Sequence, residues 1–148
     1  MTRDRFLTVY LRLVGTVAGL AAFCAIMPFR WMGAIHQSLG MGPLPDRPIV
    51  EYLARSTSAL YALLGALFWM LSLDLLRYRP LVRWLGLATV ALGLLLLWID
   101  STAGLPRFWR LAEGPANILL GTIILFFAGR AASHPASGSD GQQAARQK

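Results

Sequence analysis

One lysine, one cysteine, two histidines and seven acidic residues are a thin supply of chemistry for a chain of 148 residues. With Cys24 alone, no intrachain disulfide forms and no CxxC redox or zinc motif exists. Cys24 reads as a small apolar filler in a helix. The preceding Ala21-Ala22-Phe23 faintly resembles a lipoprotein cleavage box, but the bulky Phe23 argues against it. His36 and His134 are too few and too far apart to make a metal set, so no metal and no cofactor are expected. Charged residues make up only 14% of the chain, where a soluble domain carries about a quarter. That shortfall leaves too little polar surface for water and points to a bilayer. The net charge of +7 is almost wholly arginine, because Lys148 is the sole lysine. The arginines sit mostly at the ends of apolar runs, as helix anchors do, and not along a basic face, so no nucleic-acid partner is expected.

The chain does hold long hydrophobic runs. About 20 apolar residues suffice to span a bilayer, and four runs reach that scale, at about 6–29, 47–77, 81–99 and 115–132. The first begins after Arg3 and Arg5 as a signal peptide would. It is too long for one, Arg12 interrupts it, and no small-x-small cleavage site follows, so it reads as a retained helix. Gly15 and Gly19 in it form a GxxxG pair, which lets another helix approach closely. Between the first two runs, at about 30–41, Trp31, Ile35 and Leu39 recur every four residues, with His36, Gln37 and Ser38 opposite. That spacing predicts a short amphipathic helix lying flat in the interface. Asp46 is placed to cap the second long helix, with Pro48 in its first turn. Arg77, Arg79 and Arg83 surround Pro80 in what reads as a tight basic turn, and residues 100–114 read as a loop. Trp31, Trp98 and Trp109 mark one interface and Trp84 the other, while Trp69 falls mid-membrane as packing.

The fold class is therefore all-α: a four-transmembrane-helix bundle over residues 1–132, with a short interfacial helix between the first two spans. Residues 133–148, rich in Ser, Gly, Gln and Ala, read as a disordered cytoplasmic tail. Orientation follows from arginine bias. Arg3, Arg5, Arg77, Arg79, Arg83, Arg130, Arg146 and Lys148 gather on one side, and Arg30, Arg47, Arg55, Arg107 and Arg110 on the other. The larger set hugs the helix ends, which puts both termini in the cytoplasm and the protein in a bacterial inner membrane.

Polar groups inside a bilayer are costly and mark candidate sites. Glu51 and Arg55 are four residues apart and share a helix face, Ser58 continues that stripe, and Tyr61 lies beside it. Arg55 near the headgroup depth needs a carboxylate. Glu113, just before Gly114-Pro115 at an expected helix start, is the candidate from another segment, with Asn117 one turn deeper and His36 above. Glu51, Arg55, Ser58, Tyr61, Glu113, Asn117 and His36 thus read as one charged cluster at the extracytoplasmic end. It either fixes helix register or lines a ligand pocket. Asp74 suggests a local salt bridge with Arg77 or Arg79, and Asp100 calls for compensation by Arg107 or Arg110.

The stretch Glu51-Tyr52-Leu53-Ala54-Arg55-Ser56-Thr57-Ser58-Ala59-Leu60-Tyr61, then Asp74 with the basic turn, then Asp100 to Gly104-Leu105-Pro106 and Glu113-Gly114-Pro115, resembles bacterial four-helix membrane proteins of the DoxX-like kind. That resemblance covers most of residues 6–130. It implies a four-helix membrane fold and an association with quinone-linked oxidoreductase subunits, and it carries no functional residue onto a position here. The function expected is non-enzymatic: binding of a small hydrophobic or lipid-like ligand at the extracytoplasmic end, or service as an accessory subunit of a membrane complex. Membrane lipid, and a membrane-protein partner or a second copy of the chain, are the expected partners. The alternative is a membrane enzyme using Glu51, Glu113 and His36 for acid–base chemistry on a lipid-like substrate.

Overall fold

In a computed structural model that describes residues 2–129, every regular element is helical. The elements are α1 (Arg3–Gly19), α2 (Ala21–Ile26), α3 (Phe29–Ser38), α4 (Pro48–Leu73), α5 (Leu75–Thr102) and α6 (Arg107–Ala128). α1 and α2 run on through Leu20, which keeps helical angles, so 3–26 counts as one span. With α4, α5 and α6 it completes four helices long and apolar enough to cross a membrane. Large apolar side chains face outward on all of them, Ile26, Leu76 and Leu111 each more than 70% exposed. Water would penalise that surface heavily; lipid does not. The expected tail, the last turns expected of the fourth helix, Arg130 and His134 lie outside the described residues.

Several expected boundaries change. α5 begins at Leu75, so Arg77, Arg79 and Pro80 belong to its first two turns, and no basic turn separates the helices. A single residue, Asp74, breaks the chain there. Its backbone leaves the helical region (φ −138, ψ 76) and its carboxylate accepts the Arg77 backbone N–H at 3.1 Å. Asp74 is thus a helix cap, and among the described residues it forms no salt bridge with Arg77 or Arg79. The fourth helix starts at Arg107, eight residues before Pro115, and the expected loop over 100–114 shrinks to residues 103–106. Pro80 and Pro115 each cost one internal hydrogen bond without ending the helix, a loss tolerated in membrane helices. Asp46 is not a cap: Arg47 occupies that position and no side chain caps α4.

The helices pack as two long antiparallel pairs, α1–α4 and α5–α6, which meet each other sparingly. Each pair has a seam of glycine. A Cβ on Gly65 would lie 2.6 Å from the Gly15 carbonyl oxygen and would also strike the Gly19 backbone. The GxxxG pair of α1 therefore receives α4. In the second pair, Gly86 faces Gly121 and Gly93 faces Gly114 at similar closeness. The two pairs are joined at the end carrying Asp74. Leu7 and Leu11 from α1, Phe68 and Leu71 from α4, Leu75, Val82 and Leu85 from α5, and Ile124 and Ala128 from α6 form the buried core there. Asp4 pairs with Arg79 at 2.7 Å, Arg3 lies over the Phe126 and Phe127 rings, and Phe6 meets Phe127 in a tilted contact with ring centres 4.3 Å apart. Away from this end, only the seams within each pair stay tight.

Candidate functional site

Because the pairs are fastened at one end, a cleft opens between them at mid-span. Val14 and Ala18 from α1, Tyr61, Leu64 and Phe68 from α4, Leu85, Ala88, Thr89 and Leu92 from α5, and Asn117 and Leu120 from α6 line a cavity of about 240 Å³. It adjoins a wider recess of about 480 Å³ between α1 and α6, whose walls share Val14, Ala18, Tyr61 and Leu120. The walls are almost wholly apolar. Thr89 spends its hydroxyl on the Leu85 carbonyl at 2.8 Å, and Asn117 donates its amide to the Glu113 carbonyl at 2.9 Å. Both bonds stay within their own helices. Among the described residues, the Tyr61 hydroxyl and the Asn117 side-chain oxygen form no hydrogen bond.

The seven residues expected to form one cluster separate into distinct surroundings. Tyr61 and Asn117 line the central cleft. His36 and Ser58 line a second pocket of about 240 Å³ beneath α3. Glu51 and Arg55 do pair, Nη2 to Oε1 at 2.9 Å, as their i,i+4 spacing predicts. Arg55 also donates from Nη1 to the Ala25 carbonyl at 2.7 Å, tying α4 to the last turn of α2. Glu113 is not its partner. It accepts a hydrogen bond from the Trp109 indole N–H on its own helix. The reason is register: with α6 starting at Arg107, Glu113 lies nearly two turns inside the helix and is no longer at its positive end. No hydrogen bond or ion pair joins His36, Glu51 and Glu113 among the described residues. An acid–base centre needs such groups convergent.

Asp100, in the last turn of α5, is 2% exposed, and its Oδ2 has no hydrogen-bond partner among the described residues. Arg110 likewise keeps its buried Nε unpartnered, and neither Arg107 nor Arg110 forms an ion pair with Asp100 among the described residues. The compensation expected for Asp100 is therefore not made.

Sequence reading also passed over a polar bridge between α1 and α4. Arg12 donates to the Ser72 hydroxyl at 3.2 Å and lies over the Trp69 ring at 5.3 Å, while the Trp69 indole N–H donates to the Thr16 hydroxyl at 3.1 Å. Trp69 packs, as expected, but it also holds two polar groups of another helix. The signal was present in Arg12 itself, a charge inside an apolar run.

No family model, no curated protein and no solved structure matches this chain.

Proposed function

We propose that this is a multi-pass protein of a bacterial inner membrane, with both termini cytoplasmic, that holds one lipid-like molecule in the cleft between its two helix pairs. The observation that carries this reading is the split of the bundle: two glycine-seamed pairs, fastened at the Asp74 end and parted at mid-span by an apolar cavity. Ligand sites in bundles lie between helices, mostly apolar with a few polar groups that fix orientation. Tyr61 and Asn117 supply those groups, one able to donate and the other to accept. The guest that fits is a chain-bearing molecule with a small carbonyl or hydroxyl headgroup, the chemistry shared by quinones and isoprenoid or acyl alcohols. The resemblance to DoxX-like proteins points toward the first of these. This proposed site differs from the extracytoplasmic end expected from sequence in lying at mid-span, where the cavity is.

Native mass spectrometry of protein extracted directly from membranes into polymer discs tests the reading. A single retained lipid-class adduct is expected on the wild type. Ala88→Trp should fill the cavity and abolish the adduct while the melting temperature holds or rises, and Tyr61→Phe should weaken retention. An adduct of unchanged mass and occupancy on Ala88→Trp would show that the cleft does not hold it. Orientation is read by thiol labelling of intact cells in a Cys24→Ala background. Position 45 should label from outside and position 2 should not.

A further inference from the structure

We infer that the pocket beneath α3 is a binding site for one monovalent soft metal ion, Cu(I), whose ligands, four at most, are drawn from Cys24, Met27, Met32, Met41 and His36. These five residues line one cavity of about 240 Å³ whose remaining walls carry no charged side chain. They include the only cysteine of the chain and three of its five methionines. They come from four successive pieces of chain: Cys24 from α2, Met27 from the extended residue after it, Met32 and His36 from α3, and Met41 from the loop beyond.

The fold around the pocket orients these donors. Pro28 forces the residue before it out of the helix, and Met27 is extended (φ −67, ψ 153), which turns the chain back beside Cys24. Beyond α3, Gly40 and Gly42 take positive φ values of 75° and 80° and fold the loop over the same cavity. The Gly42 carbonyl, which can only accept, lies 2.8 Å from the His36 Nδ1. That bond places the imidazole proton on Nδ1 and leaves the Nε2 lone pair free. A ligating histidine is commonly held in this way, its other nitrogen donating to a backbone carbonyl.

The donor set selects the metal. Nowhere among the described residues do three of His, Cys, Asp and Glu converge, so zinc and the harder divalent ions lack their usual ligands. Thioether and thiolate sulfur favour Cu(I). Binding exchanges the Cys24 thiol proton, released to solvent, for the cation, so thiolate and Cu(I) together add no net charge to an apolar pocket. Methionine, unbranched and flexible, can close its sulfur on the ion without moving backbone. The pocket shares no lining residue with the central cleft, so this site stands apart from the lipid reading.

The test uses the full chain, purified reduced in detergent, with Cu(I) kept reduced by ascorbate and competed against a chromophoric Cu(I) chelator. One equivalent should be withheld from the chelator, and copper-edge absorption should show a mostly sulfur shell with one nitrogen. Met32→Leu with Met41→Leu preserves volume and should weaken binding at least roughly tenfold, as loss of supporting ligands does. His36→Gln should remove the nitrogen from the absorption spectrum. Unchanged affinity after all three pocket methionines become leucine would overturn the proposal by reducing the site to a thiol alone. Zn²⁺ binding as tight as Cu(I) would overturn it too. Should a variant misfold, absorption on the wild type loaded with Ag(I) decides the matter, since a shell without thioether sulfur refutes the site.

Discussion

Arg55 donates from its guanidinium to the main-chain carbonyl of Ala25, 2.7 Å away on the last turn of α2. A helix C-terminus leaves carbonyls without N–H partners and carries partial negative charge. The chain meets Pro28 just beyond, which cannot donate. A cation from α4 therefore caps α2 across the first helix pair, and Glu51 steadies that cation from one turn away. Arg55→Met should cost roughly 1.5–3 kcal/mol, the range for hydrogen bonds to charged groups. Glu51→Gln should cost less than about 0.5 kcal/mol, because the pair is a third or more exposed. In a double-mutant cycle by detergent melting, Arg55→Met and Glu113→Gln should add within about 0.5 kcal/mol. Strong coupling to Glu113 would mean that the two side chains meet after all.

The first helix seam makes an asymmetric prediction for two glycines that look alike in sequence. A methyl group on Gly65 would collide with the backbone of Gly15 and Gly19, which no side-chain rotation relieves. One on Gly19 meets nothing within 4 Å. Gly65→Ala should destabilise by roughly 1–3 kcal/mol, as overpacking does, and Gly19→Ala should stay within about 0.5 kcal/mol of wild type. Equal melting temperatures for the two variants would contradict the packing of α1 on α4.

Asp74 separates two helices by capping the second. Asparagine accepts the same backbone hydrogen bond without the charge. Asp74→Asn should therefore melt like the wild type, and Asp74→Ala should lose about 1 kcal/mol. A loss of equal size in both variants would point back to an ion pair with Arg77 or Arg79.

α3 has ten residues and is too short to cross a bilayer. Spin labels placed singly over 29–38 should report one shallow depth modulated with helical period, most buried on the Trp31–Ile35 face. A monotonic change in depth along the segment would show that it dips into the membrane.

The parts of the site that could be read from sequence were those set by a single helix. Glu51 and Arg55 are neighbours in any α-helix, whatever surrounds it. Glu113 was assigned wrongly because two prolines, Pro106 and Pro115, each suit a helix start, and local rules do not choose between them. Once α6 begins after Pro106, Glu113 shares a face with Trp109, and its carboxylate is taken up there. The same eight-residue shift moves Asn117 from the first turn of an expected helix to the middle of a real one, where it faces the cleft.

The sequence by itself determined that this chain has four apolar helices of membrane-spanning length, because that depends only on hydrophobic content and on a helix satisfying its own backbone. It equally determined the short amphipathic helix between the first two. Which helices become partners was decided only by tertiary structure. Lipid tails are as apolar as leucine, so burial gives no preference for one neighbour over another, and close backbone approach at small residues does. Gly65 against Gly15 and Gly114 against Gly93 made two pairs where a hydropathy pattern shows four equivalent helices. Bulky Leu7, Leu71, Val82 and Ile124 then locked those pairs at one end alone. The cleft is the space that such packing leaves open.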